Sequence, residues 1–310
     1  MTTCLIFGGN GFIGSHLAEG LVKEDYNVKI FDTFKGGTKN LASIQNSIEV
    51  VQGDFFSEAD VIGALKDVDF VFHYISTTTP ASSIKDPIFD IQSNLVGSVK
   101  MFEYAQKADV KKIFFSSSGG TIYGEPISMP ITESAPTNPV NPYAISKLAI
   151  EKYLEFFHHH YGIEYIIFRY SNPYGERQNP LGNQGVIPIF LNKIKNNECP
   201  TIFGDGYSVR DYIYIKDAID ATLAVVKKGS KNSIYNIGNG KGTSLNELIQ
   251  MMRDVTGKEI SPQYIQDSGK YISKIVLDIE KIRNDTGWFP KTDIPDGIRK
   301  TWEWINLLDE

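Results

Sequence analysis

Gly8-Gly-Asn-Gly-Phe-Ile-Gly14 follows the apolar run Cys4-Leu-Ile-Phe7 and leads into Ser15-His-Leu-Ala-Glu-Gly-Leu-Val22, a segment that reads as a helix. Strand, glycine turn and helix in that order make a dinucleotide site. Gly8 permits the turn off the strand, Gly11 lets backbone approach a pyrophosphate, and Gly14 lets the helix pack closely on the strand. The helix start presents unpaired N–H groups to the phosphates, so Gly8, Gly11, Phe12, Ile13 and Gly14 are the expected cofactor-facing residues. The spacing is G-x-x-G-x-x-G rather than the commoner G-x-G-x-x-G, and the context strengthens it. Val28-Lys-Ile-Phe31 reads as a second strand ending at Asp32, near the offset at which a carboxylate takes the adenosine ribose hydroxyls. An anion there repels a 2′-phosphate, which favours NAD over NADP, with Lys35 as the nearby opposing charge.

A chain of 310 residues can bury a large core, as one domain or two lobes. A net charge of −6 without a basic cluster gives no footprint for nucleic acid or an anionic membrane. The two cysteines, Cys4 and Cys199, have no metal or redox spacing and read as free thiols in a reducing compartment. No run is long enough to span a bilayer, and the N-terminus reads as a folded strand, so the expected location is cytoplasmic. Consecutive side chains of His158-His-His160 diverge by about 100° on a helix and cannot converge on one ion. No metal site is expected.

Apolar runs alternate with helix-period segments through the first half of the chain, the pattern of a parallel sheet with crossover helices. Ile48–Val51, Val68–Phe72, Lys112–Phe115 and Tyr165–Phe168 continue the strand series. Each is followed by polar residues: Asp54, His73 to Thr79, Ser116 to Ser118, and Arg169 to Asn172. In an open α/β sheet these ends share the ligand-binding edge. One helix is expected over Ile88 to Ala108 with Asn94 on a solvated face. A second is capped by Asn141, starts at Pro142 and stops at Gly162. Beyond Pro173 turns and aromatics multiply. The expected fold is therefore a Rossmann-type, doubly wound parallel α/β sheet with a smaller, discontinuous C-terminal substrate lobe. Residues 1–172 with roughly 211–238 would bind the cofactor, and 173–210 with 239–310 the substrate.

Tyr143-Ala-Ile-Ser-Lys147 sets a phenol and an ammonium one helical turn apart on the same face. A tyrosine with an ordinary pKa near 10 is a poor base at neutral pH. A neighbouring cation and the positive nicotinamide of an oxidised cofactor would stabilise its phenolate. Lys147 can also hold the nicotinamide ribose.

With these elements in order, the chain resembles the extended short-chain dehydrogenase/reductases, in particular the nucleotide-sugar epimerase/dehydratase branch. The resemblance runs through Gly8–Gly14, Asp32, Gly53-Asp54-Phe55, Val71-Phe-His73, Asn94, Ser116–Ser118, Tyr123-Gly124, Tyr143–Lys147, Phe168–Gly175, Gly204-Asp-Gly206, Val209–Tyr212, Asn236-Ile-Gly238 and Leu277-Asp278. It implies NAD as cofactor, a nucleotide sugar as substrate, and a homodimer paired through the two long helices. It implies that Asp54 and Phe55 flank the adenine and that Tyr74 and Ser116 join the cofactor set. Tyr143 would be the acid/base, Asn172 and Arg210 would grip the diphosphate, and Thr78 and Val186 would contact substrate. For Arg210 the ordinary alternative is an ion pair with Asp211 or Asp205.

Three departures matter. Alignment on Tyr123-Gly124 puts Gly119 where the family has a hydroxyl that bonds the reacting sugar oxygen, so Ser118, Thr121 or a water must supply it. Gly120 and Thr121 replace the acid pair of the dehydratases. Ser268-Gly-Lys-Tyr271 replaces an Arg-x-x-Asp-like element, with Lys270 as the substitute cation. The activity expected from the resemblance is NAD-dependent 4-epimerisation of a UDP-hexose through transient C4 oxidation. The alternatives are a 4-ketosugar reductase or an atypical dehydratase and, outside enzymes, a dinucleotide-binding sensor.

Overall fold

The computed structural model describes residues 1–266 and 272–309. Its first six strands are β1 (Thr3–Phe7), β2 (Asn27–Asp32), β3 (Ile48–Gln52), β4 (Phe70–His73), β5 (Lys112–Ser118) and β6 (Glu164–Tyr170). The remainder are β7 (Asn172–Tyr174), β8 (Thr201–Phe203), β9 (Val209–Tyr214), β10 (Ser233–Ile237), β11 (Gly242–Ser244), β12 (Gln263–Ile265) and β13 (Lys274–Ile275). Seven of them form the main sheet in the order β10-β6-β5-β4-β1-β2-β3, every pair parallel. The chain runs outward from β1 to β3 and then resumes on the other side of β1 with β4. That reversal opens a crevice at the C-terminal ends of β1 and β4, where such sheets bind ligands.

The strands read as unbroken apolar runs because both faces are covered. Cys4 through Phe7 have no exposed surface, and successive residues go to opposite faces. Cys4 and Ile6 join Ile30, Phe72 and Phe168 in one core, under the helices Phe12–Lys23 and Ile215–Lys228. Leu5 and Phe7 join Phe31, Val71 and Ile167 in the other, with Phe102 of the helix Gly97–Lys107 and Leu154 of the helix Pro142–Tyr161. Register then brings the edge together. Phe7 pairs with Phe31 on one side and His73 on the other, so Gly8, Asp32 and Tyr74 emerge side by side.

The helix Pro142–Tyr161 runs as expected: the Asn141 side chain accepts the Ala144 N–H at 2.9 Å, and Gly162 ends it at φ 76°. The helix expected over Ile88 to Ala108 is instead three segments: an α-turn Pro87–Asp90, a π-helical stretch Ile91–Val96, and the α-helix Gly97–Lys107. Asn94 lies within the π-helical stretch and is 6% exposed rather than solvated. Outside the main sheet, β9 pairs along its first half with β11 and β13 and along its second half with β7, while β8 pairs with β12.

Candidate active site

Gly8 takes φ +80°, a conformation L side chains rarely adopt, and a Cβ on Gly14 would lie 2.3 Å from the Gly8 carbonyl oxygen. Helix and turn therefore touch with no room for a side chain. Gly11 caps the helix Phe12–Lys23 without a side-chain hydrogen bond, leaving first-turn N–H groups open to an anion. Asp32 accepts the Asn10 N–H at 3.1 Å on one oxygen and the Thr33 N–H at 2.8 Å on the other, which aims both oxygens and leaves each a lone pair. Asp54 is exposed just beyond β3, whereas the Phe55 ring turns inward, 8% exposed and stacked on His73 at 5.6 Å. The Phe55 side chain therefore serves the core rather than an open adenine face. The Tyr74 hydroxyl bonds that of Tyr170 at 2.6 Å, beneath the same edge.

Burial pushes the pKa of the Tyr143 phenol up to about 12, opposed by the Ser118 hydroxyl at the end of β5 and helped by Asp90. Lys147 is 5% exposed, donates to the Ser116 carbonyl at 2.8 Å, and lies 5.7 Å from the Tyr143 ring centre. Burial pushes its pKa down to about 8, opposed by Asp90 and Glu151. Burial thus holds the phenol in its protonated form. Loss of water around the phenolate outweighs the hydrogen bond from Ser118.

Packing accounts for the glycine at 119. A Cβ on Gly119 would lie 2.6 Å from Leu277 Cδ1 and 2.9 Å from the Arg169 carbonyl oxygen, so this packing admits no side chain there. Ser118 faces Tyr143 instead, and Thr121 Oγ1 donates to Ser118 Oγ at 2.9 Å.

Ser118, Thr121 and Tyr143 open into a cavity of about 840 Å³ that Asn172, Val186 and Arg210 also line. Asn172 Nδ2 donates to the Asp211 carbonyl at 3.0 Å. Arg210 donates to the Val209 carbonyl at 2.8 Å and, among the described residues, forms no ion pair. Asp211 is committed to the N–H groups of Asn239, Gly240 and Leu277, and Asp205 to that of Tyr207. Burial lowers the pKa of this half-buried guanidinium, with Tyr212 and Glu125 opposing, and its planar donors are of the kind that pair with an anion.

Thr78 is placed differently from its expectation. It is 7% exposed and its hydroxyl bonds the Asp90 carboxylate, with Asn94 Nδ2 donating to it at 3.0 Å, so its neighbour Thr79 lines the cavity instead. Lys270 lies outside the described residues. Sequence reasoning also missed Lys193 and Phe203 of the cavity wall and the buried Asp90. For Asp90 the four-residue spacing to Asn94 was an available signal.

Comparison with known proteins bears on this geometry. The model of the NAD-dependent epimerase/dehydratase family matches residues 4–238.

The chain belongs to that family.

It is 40% identical over 302 residues to a putative UDP-glucose 4-epimerase of Methanocaldococcus jannaschii, covering 97% of each chain. It is similar to the structure of a Thermotoga maritima UDP-glucose 4-epimerase with UDP-glucose, at TM-score 0.94, 35% identity and full coverage of both chains. It is also similar to a Thermus thermophilus UDP-glucose 4-epimerase in complex with NAD, at TM-score 0.90 and 31% identity, covering 98% of this chain and 99% of that one. As a member of this family the chain is an NAD-dependent enzyme, and its residues fit the cofactor: the Gly14 contact seats the helix, the first-turn N–H groups face outward, and Asp32 keeps free lone pairs. No helix among the described residues is long and apolar enough to cross a membrane.

Proposed function

We propose that this chain interconverts the C4 epimers of a UDP-hexose. The observation that carries the reading is one cavity with Tyr143, Ser118 and Thr121 on its wall together with the ion-pair-free Arg210, a layout suited to a reacting sugar tethered by its diphosphate. Tyr143 takes the proton of the C4 hydroxyl and later returns it. The Ser118 hydroxyl donates to that oxygen as it gains carbonyl character, with Thr121 orienting it. Lys147 retains donors beyond Ser116 for the nicotinamide ribose. Gly8, Gly11, Phe12, Ile13, Gly14, Asp32, Asp54, Tyr74 and Ser116 would hold NAD, whose nicotinamide would supply the hydride-accepting and hydride-returning chemistry. Asn172, Val186 and Arg210 hold the nucleotide end, so the sugar can turn while its anchor stays.

Lys193 and Arg210 are the charged residues of the wall among those described, and neither is an acid. The hydroxyl-rich part near Tyr143 therefore suits a neutral hexose. Residues 1–172 with 211–238 act as the cofactor lobe, and 173–210 with 239–310 as the substrate lobe. Two free thiols and an intact cofactor edge suit the cytoplasm. A homodimer is supported by the adjacent helices around Ile88 and Pro142, which expose Ile88, Ile91, Val96, Ile145, Tyr153, Phe156 and Tyr161. Sedimentation at several concentrations tests it.

For the activity, the protein is incubated with UDP-, dTDP- and GDP-hexoses and products are followed by NMR. New C4 isomers of a UDP-hexose without net NADH consumption are expected. Stoichiometric NADH consumption would replace the reading with a ketosugar reductase.

A further inference from the structure

We propose that Asp90 is a positioning residue for the Tyr143–Lys147 pair, a sealed carboxylate that fixes the first turns of the helix Pro142–Tyr161 through Ser146 and supplies the charge that keeps Lys147 an ammonium. This rests on the acid/base reading of that pair. Asp90 has no exposed surface. One oxygen accepts from Thr78 Oγ1 and from Asn94 Nδ2 at 3.1 Å, and the other from Ser146 Oγ at 2.5 Å. Ser146 sits three residues after Tyr143 and directly before Lys147. The same helix start is tied a second time, where the Tyr143 N–H donates to Ser83 Oγ at 3.1 Å. Asn94 completes the brace by accepting the Thr77 N–H at 2.9 Å. The helix is thereby locked to the 77–83 segment, whose Thr79, Pro80 and Ala81 line the cavity.

All three side-chain donors to Asp90 are neutral, and among the described residues it forms no ion pair. A carboxylate sealed from water is costly unless a cation shares the site, and an isolated buried ammonium is costly for the same reason. Lys147 and Asp90 relieve each other across Ser146. Other groups around the pair contribute less, Glu151 acting on Lys147 in the same direction as Asp90 but more weakly. Glu151, one turn further along the helix, is held by Arg169 of β6 through bonds of 3.1 and 2.6 Å. His73 of β4 is kept neutral, its pKa pushed down to about 3 by burial and then by Lys147. Ser116 and Ser118 of β5 carry no charge. The anion acts on both members: it favours the ammonium and opposes the phenolate.

Asp90→Asn tests this in NAD-loaded protein. Two readouts are taken: the pH dependence of turnover, and the titration of the Tyr143 phenol by NMR with an isotope label at tyrosine Cζ, Tyr143→Phe identifying the resonance. Removing the anion lowers both pKa values, so both limbs of the pH profile and the phenol titration move to lower pH by about one unit. Asp90→Glu keeps the charge and leaves them in place. Ser146→Ala cuts one tether and lowers kcat without moving the limbs. Asp90→Thr is a second neutral replacement should the Asn variant not fold. An unmoved phenol titration in the neutral variants overturns the proposal whatever their rates. If the wild-type protein epimerises no sugar, the phenol titration still decides the role of Asp90.

Discussion

Replacing Arg210 by Met separates binding from folding. The guanidinium is mostly enclosed, makes one hydrogen bond to the Val209 carbonyl, and among the described residues forms no ion pair. In the ligand-free protein it is a largely dehydrated cation that Tyr212 and Glu125 only partly offset, so Met, of similar reach, should leave stability unchanged or raise it. Binding should suffer, because a hydrogen bond to a charged group is worth about 1.5–3 kcal/mol, or roughly 10- to 150-fold in Kd. The assay is thermal or chemical denaturation with increasing UDP. At a concentration near 100 Kd the wild-type protein gains about 2.7 kcal/mol. A tenfold weaker variant gains about 1.4 kcal/mol at the same concentration, and a hundredfold weaker one about 0.4. Arg210→Lys should fall between, since an ammonium keeps the charge without the fork. Equal stabilisation of Arg210→Met and wild type by UDP refutes the diphosphate contact. A marked loss of stability without ligand would show that the side chain supports the fold.

Tyr143→Phe should lower turnover by about 10²- to 10⁴-fold while NAD content is unchanged; near-normal turnover removes Tyr143 from the chemistry. In the same assay Ser118→Ala should exceed Thr121→Val in effect, because Thr121 acts on the Ser118 hydroxyl; the reverse order would transfer the carbonyl-facing role to Thr121. Gly14→Ala places a methyl 2.3 Å from the Gly8 carbonyl oxygen. It should cost about 1–3 kcal/mol and strip NAD from the purified protein, and retained cofactor would contradict the seating of that helix. Lys147 binds its proton less tightly when folded, with a pKa of about 8 against 10.5. The unfolded chain therefore holds more protons within that window, and stability rises with pH from about 8 to 10.5. Denaturation of wild type and Lys147→Met on either side of the window checks this; an equal slope in both would exclude Lys147 as its source.

The glycine turn and Asp32 were legible because each lies within a few residues of a strand end, and parallel register carries such residues to one edge. Tyr143 and Lys147 were legible because helical spacing alone puts them on one face. Arg210 was named, but its freedom from Asp211 and Asp205 was not readable. It depends on three backbone N–H groups from Asn239, Gly240 and Leu277 claiming the Asp211 carboxylate. A regular α-helix would leave Asn94 on the solvated face. The π-helical turn places it against Thr77, Thr78 and Asp90 instead.

Local order along the chain settled the sheet, the glycine turn and the placing of Tyr143 and Lys147 on one helix face, since those depend on periodicities of two to four residues and on backbone freedom at glycine. The tertiary structure decided which hydroxyl faces the phenol, through the pressure of Leu277 and the Arg169 carbonyl on Gly119. It also decided how the buried charges are balanced, through contacts between residues as far apart as Asp90 and Ser146. Dehydration and distant packing have no short-range signature, so the protonation states at the site belong to the fold.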